Sequence, residues 1–208
     1  PAGSKFSIGG VTYTWEQADN GVVTYDTFGP TNPVGANFRS LPPLTDPSRF
    51  FPNLPQVAQS SLTQTLPTTN SSWETVSTIQ RDLNFALTVR DNGSGGGQVA
   101  FDLVTVATHT GAGPFSVTSQ KNHAVYKAGS VQQITWNVAQ THLPPINTPF
   151  VNVYLSTDGG RTLGDPIAKN LPNTGSAMVQ IPGSTTTSAR IVIMAGNSIF
   201  FAMNDSDF

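Results

Sequence analysis

The sequence predicts an all-β chain built as two β-sandwiches in tandem, and three observations carry that prediction. Apolar residues alternate with polar ones at period two along most segments, and rarely recur at the three-and-four spacing of a helix. Turn-forming residues interrupt the alternating runs at short intervals, which is the rhythm of a sandwich. Near the middle, the breaker Thr108-His-Thr-Gly-Ala-Gly-Pro114 separates two apolar, β-branched runs, so one domain ends and another begins there. A length of 208 residues accommodates two domains of about 100 residues each. The boundaries read as 1–109 and 114–208.

In the first half, Val11-Thr-Tyr-Thr-Trp15 puts Val11, Tyr13 and Trp15 on one face. Asp19-Asn-Gly21 marks a turn, and Val22-Val-Thr-Tyr25 continues as strand or strand edge. From about residue 27 to 72 the texture changes, with prolines spread from Pro30 to Pro67. Proline has no donor for a sheet ladder, so this insertion is not central strand. It is nevertheless too apolar for a free linker. It reads as a long ordered excursion packed on the first sandwich, with extended pieces at Asn37–Ser40 and Ser48–Phe50 and a helical turn at Leu54–Ala58. Long loops inside compact domains are uncommon and often functional. Phe28, Phe38, Phe50, Phe51 and Trp73 are therefore the candidate binding residues. Regular strand resumes at Leu83–Val89, turns through glycine-rich Asp91–Gly97, and returns along Val99–Val106.

The second half offers six strands: Phe115–Val117, Val131–Val138, Val151–Leu155, Ala177–Ile181, Ala189–Met194 and Ile199–Phe201. Trp15 and Trp136 each end an alternating run, Tyr13-Thr-Trp15 and Ile134-Thr-Trp136, where a sandwich sets a large aromatic across its core. Both are read as structural. Trp73, in polar Asn70-Ser-Ser-Trp73, is the exposed-aromatic candidate, against a favoured reading of packing beneath the excursion.

Composition excludes several classes. Charged residues make up 11% of the chain and its net charge is −2, so no basic surface awaits nucleic acid or an anionic membrane. The absence of cysteine rules out disulfides and thiolate metal sites. No apolar run approaches the ~20 residues of a membrane-spanning helix. The profile fits a secreted or cell-surface bacterial β protein and a monomer. The start at Pro1-Ala-Gly and stop at Asp207-Phe208 read as cuts in a longer protein.

Chemistry-bearing residues are few. His109, His123 and His142 sit in linker or loops without a second ligand at metal spacing, and no G-x-S-x-G elbow occurs. Asp91 with Asn92, and Asp205 with Asp207, offer hard oxygen donors in loops and are the candidate calcium ligands. Asx turns account for most such loops. Ser156-Thr-Asp-Gly-Gly-Arg-Thr-Leu163 resembles the Asp-box, S-x-D-x-G-x-x-aromatic, a structural hairpin of sialidases and many secreted β proteins. Ser156, Asp158 and Gly160 take its positions, and Leu163 stands where the aromatic is usual. Asp158 is expected to bond the turn backbone, while the glycines permit positive φ.

Several phrases together resemble the region that follows the catalytic domain in secreted bacterial reprolysin-like zinc metallopeptidases. They are Tyr13-Thr-Trp-Glu-Gln17, Phe38-Arg-Ser-Leu-Pro-Pro43 with Pro47-Ser-Arg-Phe-Phe-Pro52, and Arg81–Asn92. Gly113–Ser119, Thr135–Val138, Leu155–Gly160 and Phe200–Phe208 resemble the module after it, so the likeness spans almost the whole chain. The first half is also similar to polycystic-kidney-disease-type modules, and the second to the immunoglobulin-like module of fungal cell-wall-synthesis proteins. The resemblance implies two tandem immunoglobulin-like, or fibronectin type III-like, sandwiches. Two departures stand out. The acidic D-x-D-G-D loop that precedes the Tyr-Thr-Trp-Glu strand in relatives is replaced by short Ser7-Ile-Gly-Gly-Val11, and H-E-x-x-H-x-x-G-x-x-H is absent.

The expectation is thus a non-catalytic accessory region that positions a parent zinc metallopeptidase's catalytic domain or binds an extracellular protein, glycan or surface. Zinc would belong to the parent, and no cofactor but calcium is expected here. A carbohydrate-binding module is the alternative, told by Trp73, Tyr25 or Tyr126 lying flat and exposed. A glycan hydrolase, prompted by the Asp-box, would need two carboxylates about 5–10 Å apart in a cleft.

Overall fold

The computed structural model describes residues 10–93 and 97–208. Ser7–Gly9 of the short N-terminal loop and Ser94–Gly96 of the glycine-rich turn lie outside the described residues. The chain is all-β apart from one helical turn, and its sheets are antiparallel. It divides into two compact units: one runs to Asn53 and resumes over Leu62–His109, and the other joins Leu54–Ser61 to Thr110–Phe208.

The first unit carries a three-stranded sheet in the order β1-β2-β3, with β1 at Thr12–Gln17, β2 at Asp82–Arg90 and β3 at Val99–Ala107. The register sets Trp15 against Leu87 and Phe85 against Val104. Alternation therefore turns Leu83 and Phe85 to one face, where they are buried beside Trp15 and Val106. The roof over that face comes from the proline-rich segment. The Phe51 ring lies 4.7 Å from Phe85 and 5.1 Å from Phe38. Single β-bridges, Tyr13 to Leu44 and Phe38 to Glu74, tie the segment down where prolines forbid a full ladder.

Val22–Tyr25 is not a strand. Gly21 and Gly35 approach so closely that a Cβ on Gly21 would lie 2.7 Å from the Gly35 nitrogen, and Thr24 closes a turn by accepting from Phe28 N–H at 2.9 Å. The chain bends there instead of pairing.

The second unit is built from β4 (Ser116–Val117), β5 (Val131–Asn137), β6 (Phe150–Ser156), β7 (Ala168–Pro172), β8 (Ser176–Gln180), β9 (Arg190–Ala195) and β10 (Phe201–Met203). Two sheets result, β4-β5-β8 and β10-β9-β6-β7. Their inward residues, among them Ile134, Trp136, Val151, Val153, Val179, Ile191 and Ile193, form one apolar cluster. β9 is buried along most of its length, as its run Ile191-Val-Ile193 requires. Strand β7 was not anticipated, because Ala-Lys-Asn-Leu-Pro lacks β-branched residues. It survives as an edge strand, joined to β6 across a bulge. The helical turn α1 (Leu54–Ala58) belongs to this unit, where Leu54 and Val57 are buried. Among the described residues no helix is long and apolar enough to cross a membrane.

Candidate binding groove in the second unit

The aromatic residues singled out for binding turn inward. Phe28 and Phe38 are buried, and Phe28 packs against the Trp73 ring at 5.4 Å. The Trp73 indole N–H donates to the Thr68 carbonyl at 3.0 Å. Phe51 packs on the small core with the Arg49 guanidinium 4.4 Å above its ring, and Phe50 is half-buried. Phe28, Phe38, Phe51 and Trp73 thus make ring contacts within the first unit. Trp15 and Trp136 are both internal anchors: the first donates to the Pro47 carbonyl at 2.8 Å, the second to Asn173 Oδ1 at 2.9 Å.

The candidate calcium ligands are each engaged elsewhere. Asp91 Oδ1 accepts from Gln98 N–H at 2.7 Å and from Gly93 N–H at 3.2 Å, an Asx arrangement closing the hairpin. Asn92 donates to Thr12 Oγ1 at 3.0 Å. Asp205 pairs with Lys121 at 2.9 Å and Asp207 with Arg190 at 2.5 Å, so the two carboxylates serve different cations. The Lys121 hydrogen bond and charge hold the Asp205 carboxyl below the ordinary range, against a smaller opposing effect of burial. Among the described residues no three His, Asp or Glu side chains gather into a metal-holding group.

The Asp-box-like hairpin has the expected internal bonding. Asp158 Oδ1 accepts from Arg161 N–H at 2.9 Å, Thr162 N–H at 3.0 Å and the Ser156 hydroxyl at 2.7 Å. Its Oδ2 accepts from the Thr162 hydroxyl at 2.7 Å. Burial pushes the Asp158 carboxyl up, but those bonds outweigh it and hold it far below the usual carboxylate range. Gly160 has φ of 84°, and a Cβ there would sit 2.5 Å from Met203 Sδ. The hairpin also braces a neighbour: Gly159 N–H donates to the Ser188 carbonyl at 2.8 Å, and the Thr186 hydroxyl to the Thr157 carbonyl at 2.8 Å.

That braced loop is one wall of a groove of about 270 Å³. Its lining combines the hydroxyls of Ser184, Thr186 and Thr187, the apolar side chains of Leu155, Ile181 and Ala189, and the rings of His123, Tyr126 and Phe208. The Tyr126 and Phe208 rings meet edge-to-face at 5.5 Å. A hollow in the first unit, beside Tyr13 and Trp15, measures only about 20 Å³, room for about one water. The groove is the larger by an order of magnitude and is the candidate site.

The segment that leads into His123 is pinned by its neighbours. Gln120, Asn122 and His123 all have left-handed backbones, with φ of 51°, 60° and 52°, as do eight other non-glycine residues among those described. Of this segment only His123 lines the groove. The C-terminal stretch holds the segment: Asn204 Nδ2 donates to the Gln120 carbonyl at 2.5 Å, and Asn122 N–H to the Ser206 hydroxyl at 2.9 Å. Lys121 adds its bond to Asp205, and Gln120 Nε2 donates to the Gln133 carbonyl at 3.1 Å.

Chemically the groove can stack a ring or aliphatic face on Tyr126 and bond neutral polar groups through its hydroxyls. Asp207 is the only carboxylate side chain among its lining residues, and Arg190 occupies it, so the groove lacks the carboxylate pair of a glycan hydrolase.

Sequence reasoning named Tyr126 and placed His123 in a loop, but missed that the two share a groove and that the segment before His123 is pinned to the C-terminal stretch. The signal was weak: Lys121-Asn-His and Asn204-Asp-Ser-Asp207 are polar stretches 84 residues apart that meet only in the fold. It also missed the buried ions of the first unit, Arg49 with Glu74 at 2.6 Å and Arg81 with Asp19 at 3.6 Å. Their signal was legible, since charges are rare here and Arg49 lies in apolar Pro47-Ser-Arg-Phe-Phe-Pro52. No family model, no curated protein and no solved structure matches this chain.

Proposed function

We propose that this chain is a non-catalytic accessory region of a secreted, reprolysin-like zinc metallopeptidase, and that its second unit seats an extracellular ligand in the groove between Tyr126 and Thr186. The groove itself, which brings Tyr126 and Phe208 together with the hydroxyls of Ser184, Thr186 and Thr187, is the observation that carries the binding reading. The likeness of Tyr13–Gln17, Phe38–Pro52 and Arg81–Asn92 to the region after such catalytic domains supports the parentage.

In this reading both units are immunoglobulin-like. A three-stranded β4-β5-β8 sheet against a four-stranded β10-β9-β6-β7 sheet, with Trp136 on β5, supports a fibronectin type III-like arrangement for the second. The first is then a reduced relative, in which the proline-rich segment roofs the sheet where a second sheet would lie. Zinc resides in the parent's catalytic domain. The test compares the parent protease with and without residues 1–208. Hydrolysis of an insoluble extracellular substrate should fall on removal while cleavage of a short soluble peptide holds. Equal loss on both, or none on either, contradicts the reading.

The second reading, a carbohydrate-binding module, has its own support in the neutral hydroxyls of Ser184, Thr186 and Thr187, which line the same groove as Tyr126. Retention of the isolated chain on insoluble polysaccharide columns, abolished by Tyr126→Ala, distinguishes it. Retention on denatured collagen instead selects a protein ligand.

A further inference from the structure

Among the described residues β3 is an outer strand, with β2 on one side only. Thr108 N–H donates to Arg81 at 2.9 Å and Asp91 N–H to Gln98 at 3.3 Å, which fixes the phase of the β2–β3 ladder. Even-numbered residues of β3 turn their backbone groups toward β2, while Val99, Phe101, Leu103 and Thr105 turn theirs outward. Leu103 agrees: its N–H is taken by the neighbouring Asp102 carboxylate at 2.8 Å, not by β2. The side chains of these outward residues are exposed too, Val99 at 59%, Phe101 at 73% and Leu103 at 64%. The pairing with β2 runs through nine residues without a bulge, and Val99–Ala107 holds no proline or lysine. Soluble proteins ordinarily blunt such an edge with those devices. Asp102 is its only charge.

The geometry points to a second copy of this chain as the occupant, adding its own β3 antiparallel across a two-fold axis at Phe101. In Val99-Ala-Phe101-Asp-Leu103 the outward positions are apolar on both sides of Phe101, so the stripe reads the same in either direction, as a self-complementary contact requires. With the axis at Phe101, that ring faces its own mate, Val99 faces Leu103, and Asp102 faces Ala100. About six backbone hydrogen bonds would form through the outward-facing groups. Charge selects this register: an axis at Asp102 would keep the backbone ladder but oppose two carboxylates directly. An axis at Leu103 sets Phe101 against Thr105 and breaks up the apolar stripe. Asp102 must release the Leu103 N–H for pairing, so it moderates the association.

This goes beyond the monomer expected from the sequence, and it rests on different residues from the groove. Sedimentation velocity across a concentration series tests it. A monomer–dimer equilibrium is expected with a dissociation constant on the order of 10–100 μM, and amides of Val99–Thr105 should gain exchange protection as concentration rises. Phe101→Lys or Leu103→Lys should weaken the dimer at least roughly tenfold with unchanged melting, Asp102→Asn should tighten it, and Ile199→Lys, at an exposed site of the other unit outside the groove, should leave it alone. A chain that stays monomeric to about 1 mM, species larger than two, or a dimer indifferent to Phe101→Lys overturns the inference.

Discussion

The two units bury different chemistry. In the second, the fully enclosed groups are mainly Ile134, Val151, Val153, Ile191 and Ile193, drawn from two facing sheets. In the first, the apolar cluster has three buried members, Phe38, Leu83 and Phe85, while Glu74, Asn37 and Thr75 are as deeply enclosed. Glu74 accepts from Arg49 at 2.6 Å, from Asn53 N–H at 2.8 Å and from Asn53 Nδ2 at 2.7 Å. Arg49 also reaches the Trp15 carbonyl at 2.7 Å, and Arg81 donates to the Asn32 and Gly35 carbonyls at 3.0 and 2.8 Å. The reason lies in proline. A segment that cannot form a ladder leaves backbone carbonyls without strand partners, and buried cations satisfy several of them at once. The lesson is that one unit is specified by apolar burial and the other by charged groups pinning irregular backbone.

The comparison breaks most visibly at Glu74. Glu74→Ala strands the Arg49 charge in the interior and should cost about 3–5 kcal/mol. Chemical denaturation should then show an early transition confined to residues 10–53 and 62–109 by hydrogen exchange. A loss below about 1 kcal/mol would mean the ion pair is incidental. Ile193→Ala should cost about 2–5 kcal/mol by leaving a cavity, with the early loss of exchange protection in the second unit instead. If both variants unfold the whole chain in one step, the two units are not separately stabilised.

Asn173→Ala is the finer probe of the second unit. It removes the Trp136 N–H acceptor and the side-chain donor to Thr141 and Thr148, for a loss of about 1–3 kcal/mol and a changed near-ultraviolet signature of the buried indole. Smallest is the acid dependence from Asp158. Its folded carboxyl titrates below the ordinary value, so its stabilising contribution is complete above about pH 4 and drains away as pH falls through the lower folded value. Asp158→Asn should therefore melt below the wild type at neutral pH, with the gap closing in strong acid. A gap that widens on acidification would contradict the bonding described for the hairpin.

Legibility in the sequence followed the same division. Alternating or continuous apolar, β-branched runs located β2, β3, β5, β6, β8 and β9 within a residue or two, although burial differs among them: β5 buries one face, β9 is buried along most of its length and β3 is exposed. The helical turn at Leu54–Ala58 was placed at the residues observed. β7 escaped because an edge strand of Ala-Lys-Asn-Leu-Pro buries too little to shape its sequence. The aromatic residues of the proline-rich segment were recognised as special, but exposure depends on which face the roof presents, and local composition cannot specify that. The Asp-box-like hairpin was legible in full since its bonds lie within Ser156–Thr162. The groove was not, because its lining comes from residues 123–128, 155 and 181–208, which meet only in the fold.

The central claim is that the groove gives an accessory region its hold on an extracellular ligand. Its most direct measurement is the parent protease carrying Tyr126→Ala, assayed on an insoluble extracellular substrate and on a short soluble peptide, with melting as a control on folding. The account predicts a severalfold fall on the insoluble substrate alone. Unchanged rates on both, in a variant that still folds, would contradict it.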